Sequence, residues 1–194
     1  MANCNSKLSK DILLDCADLP KQGVQNSGVA VLINFEDIDR TSTTSSGATI
    51  TDLVLESGTT GFKLDYYKQL AQGAGAYTPN AETIDGFSHS GILILPTQAA
   101  ESAERSAELK DGLYVVVLKT KYEGVDQKDA YKVFGFENGM ALTELTTNTN
   151  ENSGSILFTL TTEENAYETY PFNTFYETSF SASKASFDSA FASA

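Results

Sequence analysis

A chain of 194 residues is long enough for one domain with a true core. Its hydrophobic content of 41% is slightly low for a compact globule. Ser, Thr, Asn and Gly fill the difference, which favours β-structure with many turns or a subunit that buries surface against copies of itself. With 26 acidic residues against 13 basic, the formal charge of −13 argues against a phosphate-gripping surface, because backbone binding needs clustered Lys and Arg.

No apolar run approaches the roughly 20 residues of a membrane helix. The opening MANCNSKLSKDILLDC lacks the basic start and apolar core of a signal peptide, so an intracellular product is expected. The two cysteines, Cys4 and Cys16, are too few for a disulfide framework and are read as free thiols. Residues 1–28 read as an irregular N-terminal arm, with a short helix around Asp11–Ala17 and with Pro20, Gly23 and Gly28 as punctuation.

A single β-rich domain is expected over 29–172. VAVLINF (Val29–Phe35) is a continuous apolar, β-branched run, a buried strand that ends in the acidic turn EDIDR. Residues 41–48 read as a polar loop. Thr49–Glu56 and Thr60–Leu70 read as two strands joined by the tight turn SGTT. In the second, Phe62, Leu64 and Tyr66 alternate with Lys63, Asp65 and Tyr67. The two glycines and the proline of Gln72–Asn80 predict a flexible tip. Ala81–Leu95 returns as strand, with breaks expected at Gly86 and Gly91.

One short helix is predicted over 97–111. Thr97 is its expected N-cap, Glu101 and Glu104 lie toward the positive end of the dipole, Lys110 toward the negative end, and Gly112 stops it. Its apolar stripe is thin: Ala99, Ala103, Ala107 and Leu109, with Ala100 beside it. Leu113–Lys121 and Asp129–Glu137 form the strongest strand pair. Ala141–Thr146 and Ser155–Thr162 follow around a polar turn, and Tyr167–Phe172 is a last short strand. The Ser/Ala-rich end, 173–194, carries Phe175, Phe180, Phe187 and Phe191. Read as an exposed arm, it has too many phenylalanines for a monomer, at about 2 kcal/mol each to leave wet, so it is expected to dock on a neighbouring copy.

The sequence offers little catalytic chemistry. His89 is the only histidine, so a nucleophilic triad has one possible base, and its Ser/Gly setting favours a structural or surface role. Acidic pairs such as Glu82/Asp85 and Asp126/Asp129 arise by chance in so acidic a chain, and there is no Trp for a sugar platform. NTNENSG (Asn148–Gly154) lacks the leading Asp and distal Glu of a calcium loop. Gly73 and Gly75 have no strand-to-helix context for a phosphate cradle. No enzyme, metal or cofactor is expected. Between Val133 and Ser183 there is no Lys or Arg but seven glutamates: Glu137, Glu144, Glu151, Glu163, Glu164, Glu168 and Glu177. They read as a solvated acidic face, or as a surface that must not hold nucleic acid.

Several features together resemble one family. They are the cysteine-bearing N-terminal segment, the VAVLINF strand with its EDID turn, the K-x-D-Y-Y-K strand, the strand–short helix–strand core and, most specifically, KVFGFENGMALTE. The chain resembles the tail tube proteins of tailed bacteriophages infecting Bacteroidetes, by pattern and element order over about residues 4–170.

The resemblance implies a mainly β fold with one short helix, a β-sandwich or partial β-barrel with extended terminal arms. It implies homohexameric rings that stack into a conduit, contacts with other phage tail proteins, and double-stranded DNA passing without specific binding. No membrane is involved; the protein is made in the bacterial host cytoplasm and ends in the virion. On that reading Asp52, Glu56, Asp65, Glu82 and Asp85 are candidates to line the lumen. Tyr77 and Pro79 of the tip, with Phe175, Phe180, Phe187 and Phe191 of the tail, are candidates for contacts between subunits.

The tail after Phe172 has no match in the family and the 72–80 tip is short, features that fit instead a capsid decoration or tail completion protein. A carbohydrate-binding β-domain is the third reading, with Tyr66, Tyr67 and Tyr77 as its only aromatic cluster.

Overall fold

The computed structural model describes residues 8, 10–12, 18–79, 85–151 and 154–192. In chain order the strands are β1 (Ser27–Asn34), β2 (Thr44–Ser46), β3 (Thr49–Asp52), β4 (Phe62–Tyr67), β5 (Gln72–Thr78) and β6 (Gly86–Leu95). After helix α1 (Ala100–Glu108) come β7 (Leu113–Lys119), β8 (Tyr131–Phe134), β9 (Met140–Thr147), β10 (Ile156–Thr161), β11 (Asn173–Phe175) and helix α2 (Phe180–Asp188). The architecture is mainly β, with two helices and one open, mixed sheet.

The sheet forks at β7. One edge of β7 pairs antiparallel with β1, with Leu32 opposite Val116, and β1 carries β4 on its far side. The other edge is shared lengthwise. Val116–Lys119 pair with β8, and Leu113 and Tyr114 pair with β9. From β8 the sheet continues through β11 and β3 to β2; from β9 it continues through β10 and β6 to β5. Among the described residues, only β11 and β3 run parallel.

This branching buries the central strands on both faces, which is why their sequences are continuous apolar runs rather than alternating ones. Tyr114, Val116 and Leu118 of β7 join Leu32, Leu93, Phe158 and Leu160 in one core. Val115 and Val117 point the other way, into a second core with Val31, Ile33, Ile50, Tyr131 and Phe175.

Several expectations need correction. The stretches 49–56 and 60–70 do not form a hairpin. β3 pairs with β2 and β11, while Leu53 and Leu55 drop into the second core and carry the chain across to β4, which pairs with β1. Part of the 41–48 loop is strand β2. β6 runs unbroken through Gly91. The last strand lies at 173–175, not 167–172, where Glu168 makes only a single bridge to Phe87.

The 72–80 segment is not a flexible tip, since 72–78 is a strand in full register with β6. Its glycines serve close approach. A Cβ on Gly73 would sit 2.1 Å from the Phe134 ring, and one on Gly75 would sit 1.8 Å from the Pro171 carbonyl oxygen.

The C-terminal segment is not an arm either. β11 is inserted between β3 and β8, and α2 packs its aromatic side onto the second core. Phe187 lies 4.8 Å from Tyr131 between ring centroids, and Phe191 meets Phe175 edge-on at 5.0 Å. The Ser179 hydroxyl caps α2 by accepting from the Ala182 amide at 3.2 Å. Burying these rings against the chain's own core removes the cost that pointed to a neighbour.

Helix α1 starts at Ala100 with no side-chain cap; Thr97 instead bonds the Ser102 hydroxyl at 2.9 Å. None of its residues is buried. Ser102 and Ser106 face inward, and Ala99, Ala100, Ala103 and Ala107 are exposed. Leu109, in the following 3-10 turn, is the anchor. Of the N-terminal arm, Val24 is described and buried, bridging to Thr120, and the strand begins at Ser27. Cys4, Cys16 and most of the helix expected at 11–17 lie outside the described residues.

Candidate functional site

The FGFENGM stretch links β8 to β9 through a turn closed by the Gly139 amide on the Gly135 carbonyl at 2.9 Å. Both glycines hold positive φ (+76° and +75°), where a side chain would be strained. Around this turn lies a polar clasp, buried at Glu168 and His89 and exposed at Glu137 and Thr169. The Glu168 carboxylate accepts from the backbone amides of Glu137 (2.9 Å) and Asn138 (3.0 Å). The Glu137 carboxylate in return accepts from the amide and the hydroxyl of Thr169, both at 2.9 Å. Asn138 Nδ2 donates to the Tyr167 carbonyl at 2.8 Å.

Glu168 is 1% exposed, so it is not part of a solvated acidic face. Burial pushes its carboxyl above the usual range, against the pull of the two amides and of Arg40. Arg40 itself is sandwiched between Phe35 and Phe136, 4.5 and 4.8 Å from their centroids.

His89 completes the clasp and is fully buried. Its Nδ1 accepts from the Gly135 amide at 2.9 Å, which leaves Nε2–H to donate to the Tyr170 carbonyl at 2.8 Å. Burial lowers its pKa, consistent with this neutral tautomer. Both ring nitrogens are committed, so His89 pins β6 to the turn and to the 167–172 segment. The role is structural, one of the two expected. Among the described residues, no three His, Cys, Asp or Glu side chains gather into a metal-holding group.

The acidic candidates scatter. Asp52 is exposed at the end of β3, Glu56 is exposed in the following loop, and Asp65 is exposed on β4. Asp85 precedes β6 and accepts from the Tyr77 hydroxyl at 2.7 Å. Glu82 lies outside the described residues. Asp52 sits on β3, toward the other end of the strand order from Asp85 beside β6, while Asp65 is on β4, which lies against β6 without pairing with it.

Of the contact candidates, Tyr77 (58% exposed) and Pro79 remain available at the β5 end. Phe175, Phe187 and Phe191 are buried within the subunit, and Phe180 is half-buried against Tyr131, so these four are withdrawn as surface contacts. The tyrosine cluster does not form, because Tyr66 is buried.

What remains open is backbone. Among the described residues, β2, β4 and β5 each hydrogen-bond to a strand on one side only, and β4 lies against β6 without pairing. Sequence reading missed this feature, since edge status depends on which strands pair and not on which residues compose them. No protein-family model matches the chain, and no curated protein or solved structure matches it significantly.

Proposed function

We propose that the chain is a non-enzymatic structural protein of a phage virion, a tail tube subunit that assembles into stacked hexameric rings enclosing a DNA conduit. The observation that carries the reading is the open sheet with its three one-sided strands. Free edges invite pairing with another chain, and closure around a ring removes them. The charge of −13 and the exposed Asp52, Asp65 and Asp85 suit a bore that repels DNA. In this reading the sheet supplies the sandwich or partial barrel of the family.

Negative-stain electron microscopy over a range of concentrations tests it. Hollow rings or tubes of uniform diameter are expected; particles of monomer size at every concentration would refute self-assembly.

The C-terminal segment favours a second reading. Because β11 and α2 complete the subunit's own core, they are not free to tie one ring to the next. A capsid decoration or tail completion protein would need no such tie, and would give trimers, monomers or single rings without stacking.

A further inference from the structure

Two unrelated features at opposite ends of the central strands fit one another. β7 begins just after α1 and ends at a basin of about 1110 Å³ lined by Lys21, Lys121 and Lys132. The register of β1 against β7 sets the polarity. Asn34 lies opposite Tyr114 at the α1 end, and Val24 lies opposite Thr120 at the basin end. The seven residues of β7 separate the two ends by roughly 20 Å.

At the α1 end stands a nine-residue helix with no buried residue. At 100° per residue, Ser102, Ser106 and Leu109 turn inward, and the outward face is Ala100, Glu104 and Ala107, flanked by Glu101 and Glu108. Glu108 is held by Arg105 at 2.6 Å, whereas Glu101 and Glu104 make no ion pair among the described residues. So short a helix is marginal on its own in water. Its alanines let another backbone approach closely.

At the other end the basin has an apolar floor that includes Phe134 and the exposed Phe172. Lys132 spends its charge on Asp129 at 3.4 Å and on the Phe172 ring at 4.6 Å. Of the other nearby acids, Glu123 is 3.4 Å from Lys119 and also feels the charge of Lys21, and Asp18 accepts from Tyr122. Lys21 and Lys121 make no ion pair among the described residues, on a chain whose net charge, these two lysines counted, is −13.

We propose that the α1 face of one copy docks in the lysine-rimmed basin of the next, Glu101 and Glu104 meeting Lys21 and Lys121. The contact is heterologous and lies along the central strands, so it propagates head to tail instead of closing a dimer. It rests on the self-assembly reading and supplies that reading with an axial contact that the C-terminal segment cannot make.

Charge reversal with complementation tests it on the full chain. Lys21→Glu/Lys121→Glu sets acid against acid, and Glu101→Lys/Glu104→Lys sets base against base. Each variant alone should raise the concentration needed for polymers, read by sedimentation and negative stain, by about tenfold or more. An equimolar mixture should restore assembly, since each variant's helix then faces the other's basin. Ala107→Trp, on the outward face, which adds bulk without charge, should also weaken assembly, and melting by circular dichroism keeps folding separate from docking.

If the wild type polymerises and neither reversal alters it, this contact is wrong and the assembly reading stands. If each reversal weakens assembly and the mixture does not recover, the two patches do not meet, and the basin's partner is some other acidic segment. If the wild type stays monomeric throughout, both the contact and the assembly reading fall.

Discussion

Gly75→Ala is a sharp perturbation, because the surface appearance of β5 and its packing predict opposite results. On a flexible tip the added methyl would cost nothing, and by reducing unfolded-state entropy it could even stabilise. On the strand, the new Cβ would lie 1.8 Å from the Pro171 carbonyl oxygen and 2.7 Å from its carbon, both backbone atoms. Ordinary contact begins near 3.4 Å, so β5 and the 170–172 segment must separate by about 1.5 Å. Neither can give easily. β5 is held in register along β6, and the neighbouring Tyr170 carbonyl is bonded to His89. Overpacking of this kind costs about 3 kcal/mol. For a chain of this length that lowers the melting temperature by roughly 6–12 °C. Thermal unfolding by circular dichroism, at one low protein concentration, reads it. Ala74→Thr, on the exposed face next door, should stay within about 0.5 kcal/mol of wild type. A Gly75→Ala variant as stable as Ala74→Thr would refute the close approach.

The Tyr66 hydroxyl is buried with no hydrogen-bond partner among the described residues, so Tyr66→Phe should stabilise the fold by about 1 kcal/mol, and a loss in urea unfolding would show a partner. Burial holds Glu168 above its ordinary value of 4.5, so the folded chain keeps a proton that the unfolded chain has released. Stability contributed by that group therefore falls as pH rises from 4.5 through the raised value, and Glu168→Gln should remove the slope; parallel pH–stability curves for the two proteins would contradict this. Phe187→Ala should cost about 3 kcal/mol, and deletion of Phe180–Ala194 should give an unfolded or aggregated product. An arm would come off without harm, and a truncated chain that melts cooperatively would restore that reading.

What was legible in the sequence followed local pattern. VAVLIN and LYVVVLK declare themselves as strands because burial on both faces leaves Asn34 and Lys119 only at their ends. The β9–β10 hairpin shows in its apolar alternation around a polar turn. β5 was illegible because glycine is required there by Phe134 and Pro171, which lie far along the chain. Tyr66 kept its alternation, but no residue nearby signals that β4 pairs with β1 instead of β3. Helix α2 did leave a signal. Ser179 stands as a cap, and Phe180 and Phe187 are spaced by two helical turns, but the Ser/Ala composition masked it. The clasp left none, because a glutamate committed to backbone amides looks like any other in so acidic a chain.

The position of β11 constrains when the subunit can be finished. Thr49 and Thr174 share a hydroxyl hydrogen bond across 125 residues, and β3 reaches the rest of the sheet only through β11. While the chain is being made, the β2–β3 hairpin therefore waits without its sheet neighbour until β11, far along the chain, has left the ribosome. Loop closure over that span is slow compared with the neighbouring hairpins. A chain cut short before β11 would carry an uncovered second core and an orphaned hairpin, and would be removed or aggregate before it could join an assembly. Synthesis of β11 and α2 thus acts as a gate on subunit quality, set by the order of strands alone.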